Sequence, residues 1–328
     1  GDVNLMNLLV VSQVFWPDTV STGQHLHEFC EYYTKKESGS VTVFTSKYNY
    51  ENKQISYPSK EVYNNISIHR FNHTKFGKKT ILGRILDFAS FNIVIFFRLL
   101  FINRARYDAI LCTTPPPLLP FIVVIISKFK RLPFIYWAMD LQPELSINCN
   151  LIKKGSIQAN FLEFIGNYTF KHSDKIIALD ELMKRHIYSR SSNPNIEVVP
   201  VWPVLTNIYD GERLDNPFRQ EHFQDKIVIM YSGNHSFVHP LDTILELAHS
   251  LKDHDQFCFA FIGEGTQKNK VVDYIENKQC HNIVQLPYQP KENIHISLSS
   301  ADFQVVVMGD QNNGITHPNK IYGAMLAG

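Results

Sequence analysis

Residues 226–248 read KIVIMYSGNHSFVHPLDTILELA, and this stretch decides the fold of the 328-residue chain. A run of apolar residues ends at Gly233 and Asn234, and a helical pattern follows. In that pattern Leu241, Leu245 and Ala248 fall on one face, as in an amphipathic helix. A strand, a glycine turn and a helix in this order are typical of a parallel β-α-β unit. The stretch therefore predicts a parallel sheet covered by helices.

The same alternation of strand and helix patterns extends along nearly the whole chain. It stops between residues 202 and 224, in a polar stretch that we interpret as a linker, and then resumes. We therefore predict an α/β fold with two doubly wound, Rossmann-like parallel-sheet domains, at residues 1–202 and 203–328. In such sheets a ligand is expected in the crevice beyond the carboxyl ends of the strands.

Composition excludes several classes of partner. The net charge of +1 argues against a nucleic-acid partner, because any basic surface must be local. The five cysteines form no C-x-x-C pair, which favours buried thiols in a reducing compartment such as the cytoplasm. No His/Cys cluster has metal-ligand spacing, so we expect neither a metal nor another cofactor.

Three turns in the second domain are expected at one edge of its sheet. They contain Gly233 and Asn234, then the segment GEG at residues 263–265, then GITHPNK at residues 314–320. A glycine turn before a helix lets backbone N–H groups approach a phosphate, although one such turn alone can be only local geometry. Three turns at one edge predict a pocket for a phosphorylated nucleotide.

Lys320 occupies an unusual place in the last of these turns. Pro318 fits the first position of a helix that ends at Gly328, which puts Lys320 in the first turn. A cation there is unfavourable by about 0.3–1 kcal/mol, because it lies at the positive end of the helix dipole. Either an anion binds beside Lys320, or the side chain points into solvent at a small cost.

The order of these motifs resembles a known family. Y-S-G-N, F-I-G-E-G, L-P-Y-Q-P, A-D-F-Q-V-V-V and H-P-N-K-I-Y-G-A-M-L-A-G, in that order, resemble the nucleotide-sugar domain of family 4 glycosyltransferases. These are retaining enzymes of the GT-B architecture, with two Rossmann-like domains and a cleft between them. The ending is most similar to the bacterial O-antigen and capsule branch, which includes fucosamine-type transferases. In the first domain LLVVSQVFWPDTVSTGQHLHEF and YWAMDLQPE are similar to the family's glycine loop and D-L-x-P-E segment, so the resemblance covers essentially the whole chain.

The resemblance implies a glycosyltransferase (EC 2.4) that works without a metal. Its donor is a UDP-sugar, and its acceptor is a lipid-linked saccharide or polysaccharide at the inner face of the plasma membrane. The implied donor-binding residues are Gly233, Asn234, His239, Gly263, Glu264, Gly265, Tyr288, Asn319 and Lys320. The implied catalytic residues are Asp140 and Lys320, and the implied acceptor-side residues are Gly23, Gln24, His25 and Glu144. For Asp140 a helix cap, and for His25 a solvated place in the first turn of a helix, remain open as alternatives.

The sequence also departs from the family pattern. Residues 236–239 replace the Arg and Lys that grip the donor diphosphate, and Ile315 and Gly323 stand where an E-x7-E pair would fall. The family continues past the final helix with a strand and a helix, so the resemblance implies a domain truncated at its C-terminus. One alternative is a UDP-sugar 2-epimerase using His239 and His317. Another is a degenerate, non-catalytic partner subunit.

Residues 75–106 suggest a membrane contact. They contain seven basic residues against one acid, Asp87, around a long apolar helix predicted over residues 80–103. Phe91, Ile93, Ile95 and neighbouring apolar residues cover nearly all sides of that helix, which favours a position on an anionic membrane surface. The alternative is a core helix with one solvated face. The basic residues are Lys75, Lys78, Lys79, Arg84, Arg98, Arg104 and Arg106.

Overall fold

A computed structural model describes residues 6–36, 39–50, 52–77, 80–203 and 207–328. The chain divides into two compact units. We call one the N-terminal unit (Gly1–Val201 with Gly314–His317) and the other the C-terminal unit (Trp202–Asn313 with Pro318–Gly328). Each unit is built on its own β-sheet, as the two runs of strand–helix alternation predict.

The N-terminal unit contains an eight-stranded sheet in the order β3-β4-β2-β1-β5-β6-β7-β8. Every neighbouring pair is parallel except β3 and β4. The central strands β1 and β5 are almost wholly buried, which explains their continuous apolar runs. The strands are β1 (Asn7–Val11), β2 (Ser40–Ser46), β3 (Lys60–Tyr63), β4 (Ile66–Phe71), β5 (Ala109–Thr113), β6 (Phe134–Trp137), β7 (Lys175–Ala178) and β8 (Ile196–Val198).

Helices accompany this sheet as the alternation predicts. The helices are α1 (Ser21–Lys36), α2 (Ile81–Leu100), α3 (Leu118–Lys130), α4 (Glu144–Asn148), α5 (Ile157–His172) and α6 (Glu181–Ser191). The sequence analysis missed two elements of this unit, β3 and α4. Both are short, and β3 is an edge strand without a buried residue, so neither carries a clear apolar period.

Helix α2 has one face in the core and one exposed apolar face, so it has features of both the core helix and the membrane-surface helix considered from the sequence. Phe91 and Ile95 are fully buried in the core, so the expectation that the membrane contact includes them is wrong. The opposite face is exposed and apolar, with Leu86 42% and Ile93 57% exposed. Lys78 and Lys79 lie outside the described residues. Within the described ranges, no helix has the length and apolar character needed to cross a bilayer.

The C-terminal unit contains a four-stranded parallel sheet in the order β11-β10-β9-β12. Its strands are β9 (Ile227–Ser232), β10 (Phe257–Ile262), β11 (Ile283–Leu286) and β12 (Phe303–Gln304). Its helices are α7 (Pro217–His222), α8 (Asp242–Ser250), α9 (Lys268–Glu276), α10 (Ile294–Ser299) and α11 (Lys320–Ala327). Strand β12 has only two residues, although the apolar run continues to Val307, since the chain leaves the sheet after Val305 bonds to β9.

The linker interpretation of residues 202–224 is wrong for their second half. Asn216 caps α7, and Pro217 is its first residue. Arg219 of α7 is 3% exposed and donates hydrogen bonds to the Ser300 carbonyl (2.8 Å) and to Asp302 (3.0 Å). A buried Arg with these partners fixes the segment to the C-terminal unit. Residues 204–206 lie outside the described part of the chain.

Helix α11 begins at Lys320 rather than at Pro318. The N–H of Ile321 bonds to the carbonyl of Pro318 at 3.1 Å, so the residues before Lys320 form a tighter, 3₁₀-type turn. Lys320 is therefore the first residue of the helix and lies even closer to the positive end of its dipole than the sequence predicts.

Candidate functional site

The order of strands in the C-terminal unit defines a crevice. From β9 the chain moves outward to β10 and β11 and then returns to place β12 on the other side of β9. Such a reversal leaves a crevice at the carboxyl ends of β9 and β12, where parallel sheets bind ligands. His239 Nδ1 lies 2.7 Å from the carbonyl oxygen of Val307, and Gly309 N–H donates to the carbonyl of Val238 at 3.1 Å. These bonds join the loop after β9 to the loop after β12.

Gly233 and Lys320 meet at the end of β9. Gly233 has a φ of +139°, which L side chains rarely adopt. A Cβ atom at this position would lie 2.1 Å from Cε of Lys320, so the lysine side chain passes directly over the glycine turn. The sequence predicts that these two residues lie at one sheet edge, and the structure brings them into contact.

The second glycine turn packs against the first. Gly263 has a φ of +136°, and a Cβ there would lie 2.1 Å from the carbonyl oxygen of Gly233. A Cβ on Gly265 would lie 2.6 Å from Oδ1 of Asn234. The backbone N–H of His235 donates to the carbonyl of Glu264 at 2.9 Å. All three glycines have a positive φ, and at Gly263 and Gly265 the two loops also approach so closely that a side chain has no room.

Lys320 is a partly buried cation whose charge is not balanced by an acid. Burial lowers the pKa of its amino group to about 8. Its Nζ lies 5.2 Å from the centre of the Tyr231 ring, and no carboxylate of the described residues forms an ion pair with it. An amine in this position is stabilised in its charged form by any anion that enters the crevice.

Two histidines share this environment. Burial, followed by the charge of Lys320, lowers the pKa of His239 to about 4. His235 is fully buried, and its pKa is also lowered, first by burial and further by the charge of Lys320. Both rings are therefore neutral at pH 7. Lys320, unlike the two histidines, is positively charged, and its charge gives the crevice a positive electrostatic potential.

The remaining donor-side residues lie at the rim. The carboxylate of Glu264 accepts a hydrogen bond from Lys268 Nζ at 2.8 Å. Tyr288 is 53% exposed, and its hydroxyl donates to the Glu264 carbonyl at 3.3 Å. Asn319 immediately precedes α11. Their roles in donor binding stay predictions.

Asp140 follows β6 in the N-terminal unit. Its Oδ1 accepts a 2.6 Å hydrogen bond from the hydroxyl of Thr316. Burial raises the pKa of Asp140, and the Thr316 bond opposes that rise. Helix α4 begins four residues later without a side-chain cap, so the helix-cap interpretation of Asp140 is wrong.

Glu144 is held by two side chains of the same unit, His186 and Arg190. Nε2 of His186 lies 3.0 Å from its carboxylate, and Arg190 Nη1 donates to it at 3.0 Å. Burial raises the pKa of Glu144, but His186 and Arg190 outweigh this and leave it below its ordinary value. Glu144 therefore fixes the loop between β6 and α4, and contact with an acceptor stays a prediction.

The three other acceptor-side residues lie at the start of α1, beside the point where the sheet order reverses between β1 and β5. A Cβ on Gly23 would lie 3.3 Å from the backbone nitrogen of Phe15, so glycine permits close packing there. Gln24 donates to the carbonyl of Thr19. His25 is 1% exposed and its Nδ1 lies 2.8 Å from the carbonyl of Ser21, so the solvated interpretation of this histidine is wrong.

Sequence reasoning missed three residues of these sites. Tyr231 and His235 flank the Gly-Asn turn, and aromatic residues next to such a turn are the signal that was available. Thr316 lies 176 residues from Asp140, and no local pattern links them. Within the described ranges, no group of three His, Cys, Asp or Glu side chains is arranged to hold a metal ion.

Comparison with known proteins identifies the fold. No family model matches the sequence. The chain is 22% identical over 326 residues to WbjE of Pseudomonas aeruginosa, named as a probable glycosyltransferase, covering 98% of this chain and 79% of WbjE. WaaG, a glycosyltransferase involved in lipopolysaccharide biosynthesis, superposes with a TM-score of 0.66 at 11% identity over 98% of this chain and 79% of its own.

Anabaena Alr3699/HepE, solved in complex with UDP-glucose, superposes with a TM-score of 0.62 at 13% identity. That comparison covers 98% of this chain and 78% of HepE. The chain therefore has the GT-B fold, with two Rossmann-like parallel-sheet units. The glycosyltransferase name of its sequence relative and this fold support a sugar-transferring activity.

The epimerase alternative is not favoured. It requires His239 and His317 to act on one sugar. WbjE is named as a glycosyltransferase, and the two histidines are engaged elsewhere: Nδ1 of His239 lies 2.7 Å from the carbonyl oxygen of Val307, and Nδ1 of His317 lies 3.0 Å from Asp180.

Proposed function

We propose that the protein transfers a sugar from a UDP-sugar to a lipid-linked saccharide or a polysaccharide, with retention of configuration at the anomeric carbon. The observation that carries the proposal is the cation of Lys320, which lies over the Gly233 turn without a balancing carboxylate. The site needs an anion, and a nucleotide diphosphate supplies one. The complex of HepE with UDP-glucose supports the choice of UDP.

In this proposal the diphosphate lies between the Gly233 turn and the start of α11. The N-terminus of α11 attracts the anion, and the anion in turn stabilises the charge of Lys320 at that helix end. During transfer the bond from the anomeric carbon to the β-phosphate oxygen breaks, and its electron pair stays on UDP. Lys320 stabilises the charge that develops on this phosphate. The acceptor hydroxyl oxygen bonds to the same carbon, and its proton passes to the phosphate oxygen that leaves with UDP.

The N-terminal unit supplies the acceptor side of the proposal. Asp140 presents a carboxylate whose raised pKa suits contact with the reacting sugar. The ion pair of Glu144 with Arg190 holds the loop that follows Asp140. His25, which is buried, acts by fixing the start of α1 rather than by touching the acceptor directly.

Titration calorimetry with UDP tests the donor site. Lys320→Ala should weaken UDP binding by about 1–3 kcal/mol, the scale of a lost charge-assisted hydrogen bond. Lys270→Ala is the matched control, because it removes one positive charge from the same unit at a surface ion pair with Asp242. Equal UDP affinity in wild type and Lys320→Ala would refute the proposed role of the lysine.

Product analysis tests the reaction itself. Incubation with a panel of UDP-sugars and lipid-linked acceptors should release UDP only when an acceptor is present, and nuclear magnetic resonance of the product should show a retained anomeric configuration. Interconversion of the UDP-sugar without an acceptor would identify an epimerase. Binding of UDP without either reaction would identify a non-catalytic subunit.

We propose further that the protein acts in the cytoplasm, at the inner face of the plasma membrane, with α2 on the bilayer. Leu82, Leu86, Ile93 and Phe97 fall on one face of α2 at helical spacing, and they are 67%, 42%, 57% and 53% exposed. Arg84 and Arg98 of the same helix are both exposed. An exposed apolar face on a helix that also carries basic residues is typical of interfacial membrane binding.

Co-sedimentation with anionic vesicles at low salt tests this contact. Wild type should bind, and the double variant Leu86→Ser, Ile93→Ser should be released. Leu247→Ser is the control, because Leu247 is also an exposed helical leucine, 48% exposed, but lies in the C-terminal unit. A wild type that stays in the supernatant would show that the exposed face of α2 is not a membrane contact.

A further inference from the structure

A groove of about 870 Å³ runs along α2 in the N-terminal unit. We call it the α2 groove. One wall comes from α2 and the residues that follow it. The other wall comes from the start of β3, the end of β4 and Phe44 of β2. The volume is of the size that takes a small ligand. None of the residues assigned above to donor or acceptor binding lines it.

Positive charge dominates the polar part of the α2 groove. Its basic lining residues are Lys60, Arg70, Arg98 and Arg106, and its lining contains no acidic residue. Arg70 is paired with Glu61 at 2.7 Å, whereas the side chains of Lys60, Arg98 and Arg106 are exposed and form no ion pair with an acid among the described residues. Burial lowers the pKa of His69 in the same lining, and the charges of Lys60 and Arg98 lower it further. The groove therefore favours an anion.

The other part of the groove is apolar and open to solvent. Ile93, Phe97 and Phe101 line it and are 57%, 53% and 80% exposed. Phe97 and Ile93 also belong to the exposed face of α2, so the apolar lining is continuous with that face. Arg98 contacts both parts of the groove, since it is one of the basic residues and its guanidinium lies 4.9 Å from the centre of the ring of Phe71, which also lines the groove.

A ligand that fits both parts carries a phosphate and a hydrocarbon chain. Arginine binds phosphate through several N–H donors in a fixed geometry, and exposed aromatic side chains gain from contact with hydrocarbon. A free nucleotide or sugar would leave the apolar wall in water. A neutral lipid would leave the three cations without an anion.

We infer that the α2 groove binds one membrane lipid, holding its phosphate with Arg98 and Arg106 and its first hydrocarbon segment against Phe97 and Phe101. The inference rests on the proposed membrane contact of α2, because that contact brings the groove to the lipid. The membrane contact alone is a general attraction to an anionic surface, whereas this inference adds a specific site for one anionic lipid molecule.

The test uses a lipid that is soluble as a monomer. Dihexanoyl phosphatidic acid, below its micelle concentration, should bind wild type with a stoichiometry of one in titration calorimetry. The double variant Arg98→Gln, Arg106→Gln should lower its affinity at least tenfold, and Lys60→Gln should lower it by a smaller factor. Arg185→Gln is the matched control, because Arg185 is an exposed arginine of the same unit outside the groove lining, and it should bind like wild type.

Other ligands and variants separate the outcomes. Equal affinity for dihexanoyl phosphatidylcholine would overturn the requirement for an anion, and equal affinity for inorganic phosphate would overturn the requirement for a lipid. A dimer that Phe97→Ser dissociates, without any lipid binding, would show that a second copy of the chain occupies the groove. An unchanged unfolding temperature of each variant shows that it is folded.

Vesicle binding distinguishes this inference from the proposal on which it rests. If wild type sediments with anionic vesicles but does not bind monomeric phosphatidic acid, the groove inference fails and the membrane contact stands. If monomeric lipid binds at Arg98 and Arg106 but vesicles do not sediment with the protein, the lipid site stands and the role of the apolar face fails.

Discussion

Replacing Gly233 by alanine should separate the fold of the C-terminal unit from its affinity for nucleotide. The new methyl group would lie 2.1 Å from Cε and 3.0 Å from Cδ of Lys320. Because those atoms belong to a flexible side chain, the lysine can move away without disturbing the sheet. The backbone cannot relax as easily, since a φ of +139° is strained for any L residue.

The expected magnitudes follow from these two effects. An L residue in this backbone region costs about 1–3 kcal/mol, which should appear as a loss in the free energy of unfolding. Displacement of Lys320 removes a charge-assisted contact with the diphosphate, worth about 1.5–3 kcal/mol. UDP affinity should therefore fall by about 10- to 150-fold, since each 1.4 kcal/mol is a factor of ten.

Urea unfolding and titration calorimetry measure the two effects separately. Gly155→Ala is the matched control, because Gly155 also has a positive φ (+74°) but no heavy atom within 4 Å of the added Cβ. It should lose stability and keep its UDP affinity. A double-mutant cycle with Lys320→Ala completes the test, because the Gly233→Ala change should add little once the lysine is gone. Equal losses of UDP affinity in both backgrounds would refute the reasoning.

Three more outcomes are expected. UDP affinity should be nearly constant from pH 7 to pH 8 and then fall by up to about tenfold per pH unit. The reason is that above its pKa of about 8 the amine of Lys320 must take up a proton before it can pair with the diphosphate. Calorimetry on Lys320→Ala should show a smaller fall in UDP affinity over the same pH range. Asp140→Asn should lower the rate of sugar transfer at least tenfold and leave UDP affinity unchanged, and an unchanged rate would exclude a catalytic role. Asp87→Ala should lose about 2–4 kcal/mol of stability in urea unfolding, because this buried carboxylate accepts hydrogen bonds from Thr74 and from the N–H groups of Phe76 and Gly77.

Local patterns explain how much of the fold is predictable from the sequence. Strand β9 and helix α8 are confirmed because burial on a sheet and on one helix face imposes periods that are visible in 20 residues or so. The sequence places the start of α11 two residues too early, at Pro318. Proline favours the first position of a helix, but here the backbone forms a 3₁₀-type turn, which only the structure reveals. The two-residue length of β12 is not visible in the sequence, because an apolar run does not show where pairing with a neighbouring strand ends.

The candidate site divides in the same way. The glycines at 233, 263 and 265 are visible in the sequence, because backbone conformations of positive φ leave few other choices. The contact of Asp140 with Thr316 and the burial of His25 depend on tertiary packing and could not be predicted. Arg219 is a related case, since its partners Ser300 and Asp302 lie more than 80 residues away.

The environment of Lys320 also makes it chemically reactive. A lysine with a pKa of about 8 is uncharged in about one molecule in ten at pH 7, against about one in three thousand for an ordinary lysine. Only the uncharged amine attacks an acylating reagent. At neutral pH Lys320 should therefore be labelled ahead of the exposed lysines by an amine-directed ester, and a nucleotide in the crevice should shield it. Such a covalent label would allow occupancy of the site to be followed by mass spectrometry before the transferred sugar is known.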